Sequence, residues 1–396
     1  MKIDITLTHN KQVLYKMCPE WTTLQANSDA DGIYLTWEWV ATWWKHFGDE
    51  NQLWLLQARD HNGRLVGVSA LELISYSPSP KYLPMIKWRQ LQFTSAERGC
   101  EHLGFVIERG LEQEITQSFI KKLRDNQDKW DVWHVSGLCD KSPNYEILAN
   151  SGMEWTKGEE LTAPCMPLPD NWDKYFEGLS KLKRKNERRR IRQLEEEYGD
   201  NWAFERLSDP NNLHSSLNKL VELHQKTWTE RGMPGAFGNQ HFTDFYYDIA
   251  HVFLKNNWLR LYRLRLRDEI VGVLCTYEFN GRVYDFVSGV NHEFDDIGVG
   301  HLLTHFSLKH AVQDGIREYD FLWGTEPYKY DWNAEDRHHH SFDFFGTPQS
   351  RFKQQIVDNL RVLRQKYQER KRAKQAENAE NSEAKPAEKP QYQEKF

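Results

Sequence analysis

Between Trp258 and Trp332 the chain sets a hairpin, a third strand, a Gly-x-Gly turn, a helix and a short strand end to end, an order that few folds accommodate. In LRLYRLRLRDEIVGVLCTYEF, Leu259, Leu261, Leu264 and Leu266 precede Arg267-Asp268, and Ile270, Val271, Val273 and Leu274 follow it, the pattern of two strands around a tight turn. Arg282 to Val290 reads as the third strand. In DDIGVGHLLTHFSLKHAVQDG, Leu302, Leu303, Phe306, Leu308 and Val312 fit a helix packed on a sheet and stopping at Gly315. Glu318 to Trp323 closes the unit. Because the glycines follow three meandering strands, they do not match a dinucleotide-binding fingerprint, which places them after the first strand of a βαβ unit.

Gly298, Val299, Gly300 and His301 open that helix, where unpaired N–H groups and the positive end of the helix dipole can hold a phosphate. Asp295 and Asp296 stand just ahead of the turn. An aspartate there either repels pyrophosphate or caps the helix, and capping is the expectation.

A length of 396 residues allows two or three domains, with 39% hydrophobic residues to fill them. Ten of the sixteen tryptophans precede residue 160; core or interface positions are expected for most, and stacking on sugars or nucleobases is the alternative. A formal net charge of −6 argues against a globally basic nucleic-acid binder and against a DNA partner. The five cysteines are unpaired by spacing, which fits a reducing cytoplasm. With no signal-peptide pattern and no 18-residue apolar run, a soluble, cytoplasmic chain is expected.

Thr36 can cap a helix with Val40, Trp43, Trp44 and Phe47 on one face and Gly48 as its stop. A hairpin follows around Asn62-Gly63; Trp88 to Thr94 and His102 to Ile107 read as strands, Leu111 to Asn126 as a helix and Val132 to Ser136 as a strand. The order helix, hairpin, strand, helix, strand returns after residue 210, which predicts two related halves. Between them, residues 175–198 read as one basic helix. Its charges are either a solvated face balanced by Glu195, Glu196 and Glu197, or an anion site for a phosphate-bearing acceptor, a tRNA acceptor stem or an anionic membrane. Residues 351–372 read as a helix that docks on the domain or lies on a membrane surface, and 373–396 as a disordered tail.

Three passages carry a family resemblance: LTWEWVATWWKHFG (Leu35 to Gly48) with the hairpin after it, LSKLKRKNERRRIRQLEE (Leu179 to Glu196) and EYDFLWGTEPYKYDW (Glu318 to Trp332). With the Gly298-Val299-Gly300 turn they make the chain resemble the GNAT superfamily, in its branch of tandem, FemAB-like and CelD-like (cellulose-biosynthesis-associated) acyltransferases. The resemblance implies an α/β (α+β) architecture of two GNAT-like lobes, each a mixed, mostly antiparallel sheet flanked by helices, plus the C-terminal helix and tail. The expected parts are an N-terminal lobe (1–170), a C-terminal acyltransferase lobe (171–345) with the basic helix, a C-terminal helix (346–372) and the tail (373–396).

It also implies acyl transfer, with acetyl-CoA or another acyl-CoA as donor, held at Gly298, Val299, Gly300 and His301. The implied acceptor is a small molecule or an envelope or polysaccharide-related glycan; on the anion-site reading of the basic helix, Lys183, Arg184, Arg188 and Arg189 contact its phosphates. The rivals are an aminoacyl-tRNA-dependent transferase and a non-catalytic binding module. Localisation is cytoplasmic, with peripheral contact to the inner membrane as a variant.

Such a transfer needs a base for the nucleophile, donors for the oxyanion and a proton for the leaving thiolate. Asp285, among Val283, Tyr284, Phe286 and Val287, suits a base with a raised pKa, the alternative being a surface salt bridge. In GTEPYKYDW, Glu326 is a second candidate base, Tyr328 the preferred acid and Lys329 a clamp on acceptor or oxyanion. His338, His339 and His340 invite a metal reading, which is set aside because alternate side chains of an extended chain diverge and no Cys or regularly spaced carboxylate completes a ligand set.

Overall fold

The computed structural model describes residues 2–30, 32–76, 87–96, 100–356, 359 and 362. Its first half runs β1 (Asp4–Thr8), α1 (Lys11–Tyr15), α2 (Cys18–Ala26), α3 (Trp37–Phe47), β2 (Gln52–Arg59), β3 (Leu65–Tyr76), β4 (Trp88–Phe93), β5 (Val106–Ile107), α4 (Glu112–Arg124), β6 (Val132–Cys139), α5 (Pro143–Ala149) and β7 (Trp155–Pro167). The second runs α6 (Trp172–Gly178), α7 (Lys181–Tyr198), β8 (Trp202–Arg206), α8 (Leu213–Glu230), α9 (Gln240–Lys255), β9 (Leu259–Leu266), β10 (Glu269–Phe279), β11 (Arg282–Val290), α10 (Val299–Gln313), β12 (Glu318–Asp320), α11 (Pro327–Tyr330) and β13 (Glu335–Phe345).

Local chemistry sets these elements as the patterns require. The Thr36 hydroxyl accepts from the Trp39 N–H to start α3, whose Trp39, Val40, Trp43 and Trp44 are buried, and Gly48 ends it. Gly63, at φ +80°, turns β2 into β3. Val271, Leu274, Leu302 and Leu303 seat α10 on its sheet.

One 13-stranded sheet results, in the order β1-β2-β3-β4-β6-β13-β7-β12-β11-β10-β9-β8, with β5 on β3. Each half contains one parallel pair, β4 with β6 and β11 with β12; the remaining pairings are antiparallel. The last strand of each half crosses to the other: β7 pairs with β12, and β13 pairs with β6 as well as with β7. The core is shared too. The Trp39 ring meets Phe245 with centroids 5.0 Å apart, and Tyr34 meets Tyr284 at 5.8 Å. Eight of the ten early tryptophans are buried, so they fill core and seam rather than form a stacking platform.

Three expectations change. Of the strand read at His102 to Ile107 only Val106–Ile107 pairs, because His102 takes a left-handed turn at φ +55°. The basic run is two helices, broken at Leu179 where Ser180 caps α7 by accepting from the Lys183 N–H. β7 and β13 carry polar, partly exposed sequences without strict alternation, so neither had a strand signature. Residues 348–356 are helical. The rest of the helix expected to 372, apart from 359 and 362, and the tail at 373–396 lie outside the described residues. Among the described residues, no helix is long and apolar enough to cross a membrane.

Candidate active site

β11 and β12 pair only over Arg282–Tyr284 and Glu318–Asp320, then part. On the other side of β11, the register with β10 shifts between Cys275 and Thr276, opposite Val287 and Asp285, so Phe286 is an extra residue. This bulge twists the strand and turns Asp285 into the split. A cavity of about 260 Å3 opens there, lined by Asp285, Ser288, Gly300, His301, Thr304 and Tyr328, with Leu274, Val290 and Leu303 supplying apolar wall.

Burial pushes the Asp285 carboxyl up to about 6, against a hydrogen bond from the Tyr319 hydroxyl at 3.1 Å and the positive charge of Lys329. Tyr319 in turn meets the Ser307 hydroxyl at 3.1 Å. Tyr328 is half-buried with its ring edge-on to Phe321, and its hydroxyl has no hydrogen-bond partner among the described residues. Burial, then the charges of Asp285 and Glu326, hold that hydroxyl well above its ordinary value, so it keeps its proton.

At the start of α10, Gly298 sits at φ +71° with the Arg190 Nε only 2.7 Å from where a Cβ would be, whereas a Cβ on Gly300 would meet nothing closer than Val290 at 4.0 Å. The expected aspartate cap is absent. Gly298 is the N-cap residue with no side-chain bond, and the Asp295 carboxylate instead faces His292 at 3.0 Å. The α10 N-terminus is therefore left with its own N–H groups and a neighbouring guanidinium, a set suited to an anion. Burial, then the charges of Arg190 and Lys183, lower the His301 pKa and favour its neutral form.

Residues 181–330 match the Acetyltransferase (GNAT) domain family. The structure of FemX superposes with a TM-score of 0.62 at 12% identity, covering 90% of this chain and 100% of that one. The C-terminal part of the chain thus matches a GNAT domain, and the fold of the whole is like that of FemX. A conserved protein of unknown function from Bacteroides thetaiotaomicron VPI-5482 is similar at 11% identity (86% and 100% covered, TM-score 0.56), as is L-PGS from Bacillus licheniformis at 11% (83% and 92% covered, TM-score 0.50). At these identities the likeness is one of fold. No curated protein matches the sequence.

The four basic residues expected at one anion surface separate. Lys183 is buried, 3.2 Å from Glu187, and its ammonium lies 3.8 Å over the Trp332 ring. Glu187, fully buried, also takes Arg190 at 2.8 Å and His305 at 3.2 Å, so these charges pin α7 onto α10. Arg184 donates to the carbonyls of Glu177 and Leu179, and Arg188 pairs with the Glu177 carboxylate. Arg189 alone of the four is exposed with no ion pair among the described residues.

Lys329 is likewise committed. Its buried ammonium donates to the carbonyls of Leu322, Trp323 and Gly324 at 2.9–3.0 Å and pairs with Glu326 at 2.9 Å, so it ties down the loop before α11 and has no donor left for a substrate. Glu326 is exposed and outside the cavity lining, which leaves Asp285 as the carboxylate facing the cavity.

The seam between the halves holds a buried polar cluster that sequence spacing does not reveal. Asp320 accepts from Arg337 at 2.9 Å and lies 2.9 Å from His102 Nε2; burial would raise its carboxyl, yet these partners hold it low. Burial and then the Asp320 charge push the nearby Glu101 up to about 8. His339 is wholly buried beside them, and Cys139 is its direct cross-strand neighbour. The crossing of β13 into the first half adds Arg337 and His339 to them.

Proposed function

We propose that the protein transfers an acyl group from a thioester, acetyl-CoA, to an amine or hydroxyl of an envelope or polysaccharide-related acceptor. One observation carries this reading: a single cavity joins the open N-terminus of α10 to a carboxylate with a pKa of about 6 and to a protonated, unpartnered phenol. The pyrophosphate would lie at Gly298 to His301 with Arg190 beside it, and the pantetheine arm would run along β11, which has no strand partner on its β12 side beyond Tyr284. Asp285 takes the acceptor proton as the nucleophile attacks the thioester carbonyl. Collapse of the tetrahedral adduct expels the thiolate, to which Tyr328 donates a hydrogen bond. The acceptor class rests on the resemblance to FemAB-like and CelD-like transferases, and a cytoplasmic location belongs to the same reading.

The test is acceptor-dependent release of free thiol from acetyl-CoA over a panel of amino sugars, hydroxylated glycans and small amines. Asp285→Asn should lower turnover by about 10²-fold or more. A second reading, transfer from aminoacyl-tRNA, is favoured by the exposed Lys181, Lys185, Arg189 and Arg192 on the outer face of α7. Transfer that proceeds from charged tRNA and from no acyl-CoA would establish it in place of the first.

A further inference from the structure

The structure assigns a binding site for one zinc-like divalent cation to His102, Cys139 and His339, at the seam where β13 enters the first half. One donor atom from each of the three lies within 4.8 Å of the other two. Tetrahedral zinc places N and S ligands about 3.3–3.8 Å apart, so closure needs shifts of about 1 Å. His339 is 0% exposed, yet neither ring nitrogen has a hydrogen-bond partner among the described residues. A buried imidazole left so is costly unless something else occupies its lone pair.

The His102 imidazole is held as a metal-bound one is. His102 offers Nε2 to Asp320 Oδ2 at 2.9 Å, which leaves Nδ1 without a partner among the described residues. His339 turns Nδ1 toward Glu101 Oε2 at 3.8 Å, and that oxygen is itself buried and unpartnered. The Asp320 carboxylate fixes the His102 tautomer and frees Nδ1 for a metal, and Glu101 stands within reach to do the same for His339 once a metal holds its other nitrogen. Cys139 supplies the soft donor and would release its thiol proton to solvent on binding.

The backbone is arranged to bring His102 here. Gly137, at φ +65°, lets residue 100 approach so closely that a Cβ would lie 2.7 Å from the Cys100 carbonyl oxygen, and the Leu103 N–H donates to the Gly137 carbonyl at 3.1 Å. His102 itself holds φ +55°, a strained conformation for a non-glycine residue. A cavity of about 300 Å3, lined in part by His102, Cys139 and Arg337, gives an entry path. Because His102 and Cys139 belong to the first half and His339 to the second, the ion would clasp the crossed strand.

The test uses the full chain, stripped with chelator and titrated with Zn2+ in competition with a chromophoric chelator, then with Co2+ followed by absorption. One equivalent of each should bind, and Co2+ should show a thiolate-to-cobalt charge-transfer band that Cys139→Ser abolishes. His339→Asn should weaken Zn2+ binding by more than about 100-fold, and Glu101→Gln by about 10–100-fold. The inference is overturned if the wild-type chain binds no stoichiometric Zn2+. A Co2+ spectrum without the thiolate band overturns it too, since binding then lies elsewhere, as at Glu160 between His338 and His340. Both of those readings need only the wild-type protein, so a variant that fails to fold does not blunt the test.

Discussion

Tyr319 on β12 donates its hydroxyl to Asp285 Oδ2 on β11 at 3.1 Å, beside the point where the two parallel strands part. This bond stabilises the carboxylate against the cost of burial. A base must be ionised to act, so kcat/KM should fall as pH drops through about 6. Tyr319→Phe removes the opposing bond and should move that acid limb to higher pH. A pH profile of the two proteins checks the direction.

The same carboxylate should cost stability. Its folded pKa lies above the ordinary 3.8, so the folded state holds the proton more tightly and the penalty grows as pH rises from 3.8 to about 6, staying constant above. Asp285→Asn should therefore leave the unfolding free energy unchanged at pH 3.5 and raise it at pH 7 by at most roughly 3 kcal/mol, an upper bound because the group lines an open cavity. Denaturant melts at the two pH values measure it.

Tyr328 and Lys329 are neighbours with opposite expected behaviour. Tyr328→Phe should lose about 10²-fold in turnover while stability stays within about 0.5 kcal/mol, since the hydroxyl bonds nothing among the described residues. Lys329→Met strips the partner from three loop carbonyls and should destabilise by at least about 2 kcal/mol, with activity falling as a consequence of unfolding. Thermal melts alongside kinetics separate the two.

On α7 the buried carboxylate matters more than the exposed cations. Glu187→Gln leaves buried Lys183 and partly buried Arg190 without their counter-charge and should cost about 3–5 kcal/mol, whereas Arg189→Glu should leave stability nearly unchanged. If Arg189 serves a phosphate-bearing ligand, the charge reversal should appear in salt-dependent binding instead.

What the sequence made legible was the part whose signals are local. Thr36, Asn62-Gly63, Gly298 and Gly315 punctuate elements through capping and left-handed turns, and the alternation in Leu259–Leu266 and Glu269–Phe279 reads directly as a hairpin. Asp285 stood out because a carboxylate among apolar strand residues is unusual, and the fold places it in the cavity. The crossing of β7 and β13 was not legible. It depends on pairings between residues about 170 to 200 positions apart, such as Cys165 with Glu335 and Cys139 with His339, and no local pattern encodes them. The basic run misled for a related reason. Its charges look alike in sequence, but the helical face they fall on decides which are buried against Glu187, which turn to Glu177 and which meet solvent.

The most direct test is calorimetric titration of the wild-type and Gly300→Val proteins with a non-hydrolysable thioether analogue of acetyl-CoA. A Cβ at Gly300 meets nothing closer than 4.0 Å, so a larger side chain there should leave the fold intact and obstruct the mouth of the cavity. Wild type should bind about one equivalent, and the variant should bind at least about 10²-fold more weakly at an unchanged melting temperature, a loss of about 2.7 kcal/mol in binding. Equal affinity in the two proteins, or no binding by the wild type, would contradict the placement of an acyl-CoA at this turn.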